Sequence, residues 1–203
     1  MSGGEQETIA AYFHRSAGVI QQAASDPKLH ATIEQIADAV EEALRSGHKL
    51  LLAGNGGSAA DAQHIAAEFV SRFKFDRDPL PAIALTTDTS ILTAVGNDYG
   101  FEHVFTRQLR ALGRAGDVFL ALSTSGRSTN IVAAARDARE MGVKAVGFTG
   151  SHENPLRDVC DLCLRAPSEE TALIQQIHIT AAHAICGLVE ARLFKNPAAL
   201  AAR

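Results

Sequence analysis

The sequence contains no tryptophan, two methionines, three cysteines and no surplus of basic residues. Each shortage removes a class of protein. Cys160, Cys163 and Cys186 are an odd number without a paired framework, which excludes a disulfide-stapled scaffold. Cys160 and Cys163 form a CxxC, but CDLCL lies in an apolar, strand-like run, so buried thiols are expected rather than a redox or zinc site. Lys and Arg total 19 against 23 Asp and Glu, a net charge of −4, which argues against binding a nucleic-acid backbone. No apolar run reaches about 18 residues, so no membrane span is expected. The opening MSGGEQETIAAYF lacks the basic and apolar regions of a secretory signal, so the expected location is the cytoplasm. Repeats and low-complexity tracts are also missing.

What remains is a chain of 203 residues, 46% hydrophobic, enough to bury a core. It is expected to be one domain over 1–203: N-terminal helices to 47, an α/β core and terminal helix over 48–194, and a tail over 195–203. Helical periodicity covers about 5–25 and 28–47. Strand–helix alternation follows. Strands are expected at 48–54, 80–87, 117–123, 143–150 and 161–167. Helices are expected at 58–73 with Ser58 as N-cap, 88–96 capped by Asp88, 101–112, 127–142 closed by Gly142, and 168–194 opened by Ser168. Continuously apolar strands alternating with helices predict a parallel sheet covered on both faces.

Ligands in such sheets bind beyond the carboxyl ends of the strands. Two turns meet that rule. STSGRS, Ser123 to Ser128, surrounds a turn with the hydroxyls of Ser123, Thr124, Ser125 and Ser128. Gly126 lets amides face inward, and Arg127 opens a helix whose N-terminus favours anions. The expected product is a phosphate cup without a P-loop lysine. AGNGGS is the matching turn after the first strand. Its glycines have neither GxGxxG nor Walker A spacing. Asn55, Gly56, Gly57 and Ser58 would instead let a sugar hydroxyl approach the backbone.

His64 and Glu68 are four apart on a helix and share a face. Alone, such a pair is usually a surface ion pair. The last helix adds Gln175, His178 and His183. Gln175 and His183 are eight residues apart, about 12 Å of helix. They meet one ligand only by reaching toward each other or across a subunit interface. For His178 a satisfied structural role is expected. Beside a phosphate cup, a carboxylate and an imidazole suit proton transfer on a sugar phosphate. His64, Glu68, Gln175 and His183 would also suit Zn2+, although an amide oxygen is an unusual zinc ligand.

Together, AGNGGSAADAQHIAAEF, LTTDTSILTAVGNDYGFE, STSGRSTNI and IQQIHITAAHAICGLVE resemble the sedoheptulose 7-phosphate (phosphoheptose) isomerases of the sugar-isomerase (SIS) superfamily. The resemblance implies a flavodoxin-like three-layer α/β/α sandwich with a five-stranded parallel sheet and N-terminal helices. It implies a homotetramer with active sites at subunit interfaces. It further implies conversion of D-sedoheptulose 7-phosphate to D-glycero-D-manno-heptose 7-phosphate, the first step of ADP- or GDP-heptose and lipopolysaccharide biosynthesis. By position, Ser123, Thr124, Ser125 and Ser128 match the phosphate cup, and Asn55 to Ser58 the first substrate turn. Asn97 and Asp98 match a second substrate loop. Glu68 matches the base and His183 the acid, with His64, Glu68, Gln175 and His183 as ligands of one Zn2+ per subunit. The family often reads IQE where this chain has Gln176.

Two rivals are weaker. A non-catalytic relative, the initiator-associating protein of bacterial replication, shares the superfamily, but the glutamate of HxxxE and the last histidine are replaced there. A sugar-phosphate-sensing regulator needs a helix-turn-helix unit and a basic face, for which this chain is too short and too acidic.

Overall fold

A computed structural model describes residues 8–194. The expected tail over 195–203, and the start of the helix expected from 5, lie outside the described residues. The elements in order are α1 (Ile9–Ala24), α2 (Pro27–Arg45), β1 (Leu50–Gly54), α3 (Gly57–Val70), β2 (Ala82–Ala84) and α4 (Thr89–Tyr99). A 3-10 turn (Phe101–His103) leads into α5 (Val104–Leu112), β3 (Val118–Leu122), α6 (Thr129–Glu140), β4 (Lys144–Thr149), α7 (Pro155–Val159), β5 (Leu162–Arg165) and α8 (Thr171–Phe194).

The five strands are all parallel, in the order β2-β1-β3-β4-β5. Side chains alternate along a strand, so each strand feeds two cores. Leu50 and Leu52 of β1, with Val118 and Leu120 of β3, meet α2, α3 and α8. Leu51, Ala53, Phe119 and Ala121 point the other way, toward α4 to α7. The result is a three-layer α/β/α sandwich, as expected, with α1 laid outermost against α8. Gln176 of α8 pins it there: its amide accepts from Ser16 Oγ and donates to Ser16 O at 2.9 Å.

Several local expectations are corrected. The strands are shorter at their ends, β2 most of all at 3 residues. Ser58 is not the cap of α3. The chain bends at Gly56 (φ 57°) and enters the helix at Gly57, which buries Ser58 in the first turn. Asp88 does cap α4, accepting from Ile91 N–H at 2.9 Å. Arg127 precedes α6, whose cap is Ser128, and α8 starts at Thr171 rather than Ser168. The five-residue α7 was not expected. Its signals were Asn154, whose side chain accepts from Arg157 N–H at 3.2 Å, and Pro155 at the first helical position.

α8 is 24 residues long, and its most apolar window has a mean hydropathy of 1.4, sufficient by length and composition to cross a membrane. The helix is not the uninterrupted apolar run that a membrane span was expected to need, because Gln175, Gln176, His178, His183 and Glu190 break it. Half of that window is buried against the rest of the chain, and the helix is apolar because it is the central strut of one core.

Candidate active site

The strand order reverses direction between β1 and β3. One connection leaves β1 toward β2 and the other leaves β3 toward β4, opening a crevice at the carboxyl ends of two adjacent strands. The turns Gly54–Ser58 and Ser123–Ser128 both sit at this switch point. A reciprocal amide pair ties them together: Asn55 Nδ2 donates to Asn130 Oδ1 at 2.9 Å, and Asn130 Nδ2 to Asn55 Oδ1 at 3.0 Å. Asn130 is buried and had not been singled out from the sequence, although it closes the quoted STSGRSTNI.

In the second turn, Gly126 holds a left-handed φ of 62°, and a Cβ there would fall 2.0 Å from Asn154 Oδ1. Only glycine suits both demands. Ser123 is buried and donates to Ser128 Oγ at 3.1 Å, while Thr124 is half-buried and Ser125 exposed. Ser125 Oγ accepts from Arg127 N–H at 3.2 Å. Ser128 makes no side-chain cap, which leaves the first amides of α6 uncapped beside these hydroxyls.

α3 and α8 run side by side in the same direction, which sorts the remaining residues by level. At the first level, Gln175 Nε2 lies against Gly57, 2.4 Å from where a Cβ would sit. About two turns further along α3, His64 Nε2 lies 3.3 Å from Glu68 Oε1 and 3.0 Å from His183 Nε2. One ligand atom each from His64, Glu68 and His183 falls within 4.8 Å of the others. The HxxxE pair and the histidine of the last helix therefore converge. Gln175 stays with the glycine turn in the same protomer. His178 is fully buried, with Nε2 donating to Thr149 O at 3.1 Å and Nδ1 without a partner among the described residues, so only half of its expected satisfaction is met there. Asn97 and Asp98 occupy the exposed last turn of α4 rather than a loop, joined by Asn97 Nδ2 to Asp98 Oδ1 at 2.8 Å.

Asp61 stands one turn before His64, with Oδ2 buried and without a hydrogen-bond partner among the described residues. Burial raises its carboxyl above the usual value, and His64 partly opposes that. Its i, i+3 spacing to His64 was the only sequence signal for it. The thiols of Cys160 and Cys163 both approach Gly147, and burial raises both above the ordinary thiol value, which disfavours the reactive thiolate.

Two imidazole nitrogens and a carboxylate oxygen facing one point are a donor set that suits a divalent zinc ion. Without a metal, the 3.0 Å contact between the two rings requires one Nε2 to carry the proton and the other to accept it. The same three groups also combine a carboxylate that can act as a base with imidazoles that can donate a proton.

The SIS domain family matches residues 11–150. A phosphoheptose isomerase of Bradyrhizobium sp. (strain ORS 278) is 55% identical, over 97% of this chain and 99% of that protein. The solved phosphoheptose isomerase of Neisseria gonorrhoeae superposes with a TM-score of 0.83 at 43% identity, covering 89% of this chain and 97% of that one. That of Francisella tularensis gives 0.85 at 38% identity, covering 90% and 96%.

Proposed function

The chain belongs to the phosphoheptose isomerases, a family of SIS-domain proteins, and from that membership we infer that it interconverts D-sedoheptulose 7-phosphate and D-glycero-D-manno-heptose 7-phosphate. The observation that carries the mechanism is the convergence of Glu68 with His183 and His64. The Glu68 carboxylate removes a proton from C1 of the ketose and returns it to C2 through an enediolate. The His183 imidazole donates to the C2 oxygen and takes the proton from the C1 hydroxyl, so both oxygens end in the protonation state of the aldose. The phosphate is held by Thr124, Ser125 and Ser128 and the first amides of α6, with Ser123 bracing Ser128 from below. Asn55, Gly56, Gly57 and Ser58 take the sugar hydroxyls, as do Asn97 and Asp98.

His64, Glu68 and His183 would hold a zinc ion, with Gln175 as the fourth member of the family set. Bound there, zinc supplies Lewis-acid polarisation of the carbonyl. Gln175 sits about two turns from the cluster in its own protomer, which supports sites completed by a neighbouring subunit. The homotetramer reading draws on the same point and on exposed Ile9 and Phe13 of α1 and Phe101. The whole chain is read as one SIS domain, acting in the bacterial cytoplasm at the first step of ADP- or GDP-heptose and lipopolysaccharide biosynthesis.

The test is incubation with sedoheptulose 7-phosphate in deuterated water. Deuterium is expected at C2 of the aldoheptose phosphate, and Glu68→Gln should lower kcat by about 10²–10⁴-fold with the fold intact. Near-normal turnover in that variant would remove Glu68 from the mechanism.

A further inference from the structure

Behind the cluster, the segment joining α3 to β2 is held by a carboxylate the mechanism does not use. Glu190 of α8 is buried, and its oxygens accept from Phe73 N–H and Lys74 N–H at 2.8 Å each. Arg77 completes the clasp, its Nε 3.0 Å from Glu190 Oε1, with both side chains 2% exposed. The same guanidinium donates to Glu68 O at 2.8 Å and Phe69 O at 2.7 Å, closing the carboxyl end of α3 where the proposed base stands. A charged pair this deeply buried is expensive to desolvate and persists only where its hydrogen bonds are satisfied, as here.

The clasp delivers one side chain. The Phe73 ring stacks on the imidazole of His183, with centroids 5.5 Å apart and planes 25° from parallel. His183, Gly187 and Glu190 lie at i, i+4 and i+7, one stripe of α8. Gly187 leaves the room the ring needs, since a Cβ there would come 3.3 Å from Phe73 Cε1. His183 is thus held by its ring face on Phe73 while its edge meets His64 at 3.0 Å.

We propose that Phe73, anchored by the Glu190–Arg77 clasp, is a positioning residue that fixes the orientation of the His183 imidazole for proton transfer. This rests on the reading of His183 as the acid. A misaligned ring should slow chemistry without weakening the phosphate contacts, which lie elsewhere. In Phe73→Leu, kcat for sedoheptulose 7-phosphate should fall about tenfold or more, with KM changed less than about twofold. Phe73→Tyr, which keeps the ring, should restore most of the rate. The His183 ring-proton NMR signals, identified by their absence in His183→Gln, should move downfield in Phe73→Leu as the ring current is lost. They should also move in Gly187→Ala, which crowds the ring yet leaves the loop sequence intact. Unchanged kcat with unmoved signals in Phe73→Leu overturns the proposal, as does a rate loss that Phe73→Tyr fails to restore. The NMR signals need no turnover. Wild-type protein inert toward the sugar phosphate would sink the isomerase reading while leaving the stack to be judged by its signals.

Discussion

His178 lies on the face of α8 turned into the core, where Phe148 packs edge-on against its ring at 5.5 Å. Burial pushes its imidazole down to about 4, with the hydrogen bond to Thr149 O opposing part of that shift. The folded chain therefore holds it neutral through the range where an unfolded chain, with a value near 6.5, takes up a proton. Its contribution to stability is complete above about pH 6.5 and is lost as pH falls toward about 4. The whole shift corresponds to about 3 kcal/mol at most. Urea midpoints across that window should decline less steeply in His178→Gln than in the wild type. Equal slopes would mean that the imidazole is not held neutral by its surroundings. The residue scale separates α8 into two kinds of histidine: His183 half-exposed beside His64 and Glu68, and His178 sealed among aromatic and aliphatic neighbours.

At the scale of elements, the β1–α3 joint controls where His64 and Glu68 lie. Gly54 ends β1, and a Cβ there would sit 2.4 Å from Ser58 O and 2.6 Å from its carbonyl carbon. Both are backbone atoms of the first turn of α3 and cannot swing aside. Gly54→Ala should therefore cost about 3 kcal/mol in denaturant unfolding, or shift α3 and depress turnover. Gly18, in the middle of α1, is the matched control, with nothing within 4 Å of its Cβ position. Gly18→Ala should stabilise by about 0.5–1 kcal/mol through helix propensity. If both variants behave alike, close packing at the joint is not what makes Gly54 necessary.

At the scale of the whole molecule, apolar surface is left uncovered. Ile9 is 79% exposed and Phe13 68% exposed on α1, and Phe101, after α4, is 64% exposed. Exposed apolar side chains of this kind favour contacts with other molecules, and the proposed homotetramer would seat a second copy of the chain on them. Phe13→Glu should yield a species smaller than a tetramer by size-exclusion with light scattering, with turnover falling in parallel. A variant that stays fully assembled would exclude α1 from the interface.

The alternation of apolar strands with amphipathic helices was legible in the residues, because local periodicity reports which side of an element is buried. The sandwich, the parallel sheet, the two strand-to-helix turns at its carboxyl edge and the shared face of His64 and Glu68 followed from it. Element ends were less legible: Ser58 looks like a cap until the bend at Gly56 moves the helix start. Tertiary packing alone decided that β1 and β3 are neighbours, so that Asn55 meets Asn130. It also decided that α3 and α8 align so that His64 meets His183 across 119 residues of chain. No period in the sequence encodes the register between two distant helices. That register, together with the Glu190 clasp that lays Phe73 on His183, arises only once the whole core has closed.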